Sequence, residues 1–109
     1  MPERLGPPLN TPLFERLAIV GLGLIGSSIT RAARRLNLAR TLVAADRSLA
    51  VLERAREIGL ADETVADPAE GVRGADHVIL CVPVGAYGAV MDRIAPGASA
   101  SAIRSMTAP

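Results

Sequence analysis

Apolar residues in this chain fall into short unbroken runs, and stretches with helical spacing lie between them. Residues 17–20, LAIV, are a continuous run that flows directly into Gly21. A strand that is apolar at every position is one buried on both faces, as in parallel sheets covered by helices. From Leu24 the period changes. Ile25, Ile29, Ala32, Ala33 and Leu36 share one face of a predicted helix, Arg31, Arg34 and Arg35 take the other, and Asn37 is placed to end it. TLVAAD, residues 41–46, predicts a second buried strand. Ser48 is a good N-cap for a helix with the stripe Val51, Leu52, Ala55 and Ile58, and Gly59 can terminate it. Residues 63–65 make a short third strand. Asp67, Pro68 and Glu70 read as N-cap, first-turn proline and first-turn acid of a short helix, with the acids serving as capping groups. HVILCV, residues 77–82, is the fourth strand, broken by Pro83. Residues 86–94 predict a last helix, with Val90 and Ile94 four apart.

Four rounds of strand then helix argue for an α/β fold: a Rossmann-like doubly wound parallel sheet, incomplete after the fourth strand because no apolar run follows Pro96-Gly97. The expected organisation is a disordered lead-in over 1–12, a nucleotide-binding domain over 13–97 and an irregular tail over 98–109.

Composition narrows the class of partner. The 109 residues suit one domain. Half are hydrophobic and only 2% are aromatic, so Ala, Leu, Ile and Val must make the core and modest stability is expected. The net charge is +1, and all 12 basic residues are Arg, a balance too even to imply a nucleic-acid or membrane partner. Cys81 is the single cysteine, which excludes an internal disulfide and suits a reducing, cytoplasmic setting. No apolar run approaches the ~18–20 residues of a membrane span, and the prolines and acid of MPERLGPPLNTP do not suit a signal peptide.

The chemistry concentrates in GLGLIG, residues 21–26. Its G-x-G-x-x-G spacing is weak evidence alone, since glycines also make compact turns. Here it joins a buried strand to an amphipathic helix, and Asp46 stands at the end of the next strand, 20 positions after Gly26. That is the dinucleotide fingerprint. Gly21 permits the tight turn, Gly23 lets the backbone approach a pyrophosphate, and Gly26 lets the helix pack against the strand. Amide groups around Leu24 and Ile25 face the phosphates with the help of the helix dipole, and Asp46 accepts hydrogen bonds from the adenosine ribose. A carboxylate there favours NAD over NADP. Arg47 leaves alternatives open: stacking on adenine, pairing with a 2′-phosphate, or a solvated charge. Val82 and Pro83 are expected beside the cofactor.

Other reactive side chains have blander readings. His77 opens its strand, so it lies at the edge opposite to where ligands sit in such sheets. Cys81 reads as a small packed thiol, and Tyr87 as a packing residue before a ligand contact. Ser28 serves the phosphate site or the helix surface, and Arg34 and Arg35 form a solvated face. No catalytic or metal-binding residue is assigned.

The stretches LAIVGLGLIGSSIT, VAADRS and ADHVILCVPVGAYGAVM, between about residues 14 and 97, resemble the N-terminal domain of the prephenate, or arogenate (cyclohexadienyl), dehydrogenases of tyrosine biosynthesis. The resemblance implies an NAD-dependent oxidative decarboxylation. It also implies that the polarising histidine and the carboxylate-binding arginine come after the matched region, from later loops and a helical dimer-forming domain. ASASAIRSMTAP departs from the pattern, which reads as a truncated or frame-shifted product without catalysis of its own. A regulatory NAD-sensing domain is the alternative. A fourth strand left as an open apolar edge implies self-association.

Overall fold

The computed structural model describes residues 7–97, so the expectations for residues 1–6 and for the 98–109 tail lie outside the described residues. Four strands and four α-helices follow in alternation: β1 (Phe14–Val20), α1 (Leu24–Leu36), β2 (Ala39–Ala45), α2 (Leu49–Glu57), β3 (Glu63–Val65), α3 (Pro68–Gly71), β4 (His77–Leu80) and α4 (Tyr87–Ile94), with a 3₁₀ turn on each side of α4. The sheet is wholly parallel, in the order β3-β2-β1-β4.

Both faces of the sheet are buried, as the unbroken apolar runs require. Leu17 and Ile19 of β1 and Leu42 and Ala44 of β2 pack with Ala33 of α1 and Leu52 and Ala55 of α2. The intervening residues Ala18, Val20, Val43 and Ala45, with Val78 and Leu80, point the other way, against Val72 and Ile94. The period-2 alternation of strand side chains thus feeds two apolar layers at once. At the N-terminal edge Arg16 reaches from β1 to Glu63 of β3 with two hydrogen bonds, of 2.7 and 3.0 Å. The hydrogen bond from Arg16 holds the Glu63 carboxyl below its usual range.

Strand ends differ from the reading by a few residues. β1 and β2 start earlier, and β4 stops at Leu80, although the Cys81 N–H still donates to the Val20 carbonyl (2.7 Å). Asn37 closes α1 in the left-handed conformation (φ 57°), and Ser48 and Asp67 cap α2 and α3 as expected. Two stripe residues were misplaced. Ile25 is 60% and Ile58 42% exposed: Ile25 lies in the first turn of α1, and Ile58 is the C-cap of α2. Thr30 is fully buried instead, its hydroxyl donating to the Gly26 carbonyl (2.7 Å). Arg34 is not simply solvated, since it pairs with Asp62 at 3.2 Å. Residues 7–12 have no helix or strand, yet Leu9 is tied to the end of α1 through its N–H to the Leu36 carbonyl (2.9 Å) and its own carbonyl to Asn37 (3.1 Å), unlike a free lead-in.

Candidate functional site: a cleft at the carboxyl ends of β1, β2 and β4

The bend between β1 and α1 is set by two glycines. Gly21 has φ +99°, and a Cβ there would lie 2.5 Å from the Cys81 carbonyl oxygen. A Cβ on Gly26 would overlap the Gly21 carbonyl oxygen and press on the Cys81 side chain, so α1 can start against the bend only with glycine there. Gly23 differs: its backbone is extended (φ −62°, ψ −166°) and open space lies where its Cβ would be. Gly23 is also the N-cap of α1, so no side chain caps the helix, and its first turn holds no acid. The first-turn amides lack intrahelical acceptors by geometry. An uncapped helix N-terminus beneath open space is a fitting cradle for a diphosphate.

Asp46, just past β2, faces this bend. Its Oδ2 accepts the Leu22 N–H at 2.7 Å and its Oδ1 accepts the Ser48 N–H at 2.9 Å. Bend and carboxylate border one cleft of about 470 Å³, within the range of small-molecule sites. Gly21, Gly23, Asp46, Arg47, Val82 and Pro83 all line it. Gly26 lies buried behind the bend. The side chains of Leu24 (88% exposed) and Ile25 project into solvent, so only their amides can serve the site. Arg47 is exposed and forms no ion pair among the described residues.

The opposite wall was not foreseen. Ala66 and Pro68 from the β3–α3 connection and Ala86 and Val90 from the last helical segment complete it. Pro68 carried only a helix-start signal in the sequence, and small apolar residues carry none. Cys81 also lines the cleft, half-buried, and burial raises its thiol pKa. Ser27 donates its hydroxyl to the Leu22 carbonyl (2.7 Å), a bond that closes the bend. Ser28 donates back to the Leu24 carbonyl (2.9 Å), which fits a helix-surface role. His77 sits at the far edge, its ring stacked on Phe14 with centroids 5.1 Å apart, and burial lowers its pKa. Among the described residues no three His, Cys, Asp or Glu side chains cluster as metal ligands, and no helix is long and apolar enough to cross a membrane.

The model for the prephenate dehydrogenase nucleotide-binding domain matches residues 29–105. The chain belongs to this family. The matched stretch includes Asp46, Arg47, Val82 and Pro83 and starts just after the glycine bend. A cyclohexadienyl dehydrogenase of Zymomonas mobilis is 45% identical over 84 residues, which are 77% of this chain and 29% of that enzyme. Arogenate dehydrogenase of Synechocystis superposes with a TM-score of 0.75 at 30% identity, over 85% of this chain and 32% of that one. Prephenate dehydrogenase of A. aeolicus, solved with hydroxyphenyl propionate and NAD+, shares the fold at 21% identity, with a TM-score of 0.75 over 92% of this chain and 34% of that one. This chain thus spans about a third of the length of these family relatives.

Proposed function

We propose that this chain binds NAD in the cleft and is the nucleotide-binding part of an oxidoreductase that oxidatively decarboxylates prephenate or arogenate. The observation that carries this is the fixed carboxylate of Asp46 beside an uncapped helix N-terminus and an open Gly23. In this reading the first-turn amides of α1, including those of Leu24 and Ile25, hold the diphosphate. Asp46 accepts the adenosine ribose hydroxyls and its charge disfavours a 2′-phosphate. Arg47 covers the adenine, and Val82 and Pro83 guide the nicotinamide half by shape. Gly21 and Gly26 bind indirectly, by making the bend possible.

When bound, NAD supplies the hydride acceptor. The residues here bind and orient it. Among the described residues, Asp46, Arg47 and Cys81 are the only ionisable side chains lining the cleft, and His77 lies at the other edge of the sheet. We therefore propose that the 109-residue chain alone binds without turnover. The extent of the NAD domain is read as 13–97, with the cytoplasm as its compartment.

Titrating the chain with NAD+ in a thermal melt tests this. At 100 times the dissociation constant the stabilisation is about 2.7 kcal/mol. No shift at millimolar NAD+ refutes the binding, and NADH formed from prephenate or arogenate by the chain alone refutes the lack of turnover. Self-association belongs to the same proposal. Among the described residues β4 stands last in the strand order, beside β1, and a clean monomer at high concentration in sedimentation counts against self-association.

A further inference from the structure

We infer that Asp46 is a positioning residue for the diphosphate-binding bend, a role separate from any contact with ribose; this rests on the reading of the cleft as a dinucleotide site. Leu22 lies between Gly21 and Gly23, and both of its peptide groups are held. Its N–H donates to Asp46 Oδ2 at 2.7 Å, and its carbonyl accepts the Ser27 hydroxyl at 2.7 Å. A trans peptide is planar, with N–H and C=O on opposite sides, and no cis bond occurs here. The N–H of Gly23 is therefore turned away from Ser27 when the Leu22 carbonyl is turned towards it.

The second oxygen of Asp46 makes the hold rigid. Oδ1 accepts the Ser48 N–H at 2.9 Å, which fixes the carboxylate to the start of α2, and the Asp46 N–H donates to the Val65 carbonyl at 3.1 Å. The bend is thus tied to β2, β3 and α2 through one residue. Bonds to a carboxylate are the stronger kind, and among the described residues Leu22 N–H is the one amide of the bend that a side chain holds. Each carboxylate oxygen keeps a second lone pair, so Asp46 can still receive a ribose hydroxyl. The two roles overlap in any simple substitution of Asp46, and a ligand without those hydroxyls separates them.

The test is a cycle of two proteins and two ligands, read by calorimetric titration of the full chain: wild type and Asp46→Ala, with ADP and 2′,3′-dideoxy-ADP. Both ligands carry the diphosphate, and only ADP carries the ribose hydroxyls. Positioning predicts that Asp46→Ala weakens dideoxy-ADP about tenfold, with a further loss for ADP. If Asp46→Ala binds dideoxy-ADP as wild type does, the carboxylate acts on ribose alone and the inference is overturned. Asp46→Asn, which keeps one acceptor oxygen, is expected to recover part of the dideoxy-ADP affinity; it also carries the test if the alanine variant does not fold, and wild-type affinity for dideoxy-ADP then overturns the inference. Melting of each unliganded variant separates lost binding from lost folding. A dideoxy-ADP loss matched by a fall in the folded fraction at the assay temperature overturns the inference too. Wild-type protein that binds neither NAD+ nor ADP overturns the proposed function itself.

Discussion

Adding one methyl group to the glycine bend should separate folding from binding. At Gly21 the new Cβ would stand 2.5 Å from the Cys81 carbonyl oxygen and 2.9 Å from its carbon, both backbone atoms that cannot rotate away. The positive φ adds strain of about 1–2 kcal/mol, and the overlap adds about 1–3 kcal/mol. The sum, about 2–5 kcal/mol, is a large part of the 5–15 kcal/mol typical of a domain. It corresponds to a fall in Tm of roughly 8–40 °C for a domain near 100 residues. At Gly23 the backbone is already extended and no atom lies within 4 Å of the new Cβ. Gly23→Ala therefore costs no more than about 1 kcal/mol, the usual difference at an N-cap. Its methyl group would occupy the space over the first-turn amides. Displacing one charge-assisted hydrogen bond costs about 1.5–3 kcal/mol, or roughly 10- to 150-fold in Kd. Melting curves with and without NAD+ read both effects. Gly21→Ala should melt low or fail to fold, whereas Gly23→Ala should melt near wild type and gain little from NAD+. If Gly23→Ala binds NAD+ as wild type does, the diphosphate does not lie over that glycine.

Three more expectations follow from particular groups. Cys81 lines the cleft with a raised thiol pKa, so a maleimide should label it slowly, faster as pH rises, and slower when NAD+ is present; unchanged labelling with NAD+ would place the cofactor elsewhere. Wild type should bind NAD+ at least about tenfold tighter than NADP+, the size of effect a fixed carboxylate exerts on a nearby phosphate, and equal affinities in a competition titration would contradict this. Burial lowers the His77 pKa, so folding favours its neutral form. That stability is complete above the unfolded-state value near 6.5 and is lost as pH falls through the lower folded value. His77→Phe keeps a ring against Phe14 and should flatten this part of the pH dependence of Tm, and an unchanged profile would exclude His77 as its source.

The elements were legible because each rests on local chemistry. β3 was placed at residues 63–65 and α1 at residues 24–36, since the apolar period and the turn residues mark both. Ile25 and Ile58 were assigned to buried faces because periodicity continues a stripe to the helix ends, where these two residues stand. At the site, the glycines and Asp46 were legible from their spacing together with the strands and helix that flank them, and they border one cleft. The far wall was not, because Ala66, Ala86 and Val90 resemble any small apolar residues until the fold brings them together. Nor could spacing show that Asp46 spends both oxygens on backbone amides, or that Ser27 closes the bend, since both depend on the relative height of neighbouring strand ends.

The seat of Gly21 against the Cys81 carbonyl has a mechanical consequence. The bend is pressed onto the residue that follows β4, a strand of four residues paired with β1. Fraying of that strand would remove the support under Gly21 and carry off Cys81, Val82 and Pro83 with it. The cleft would then open and collapse with this short strand, so amide exchange at Cys81 should report the integrity of the site before any global unfolding does.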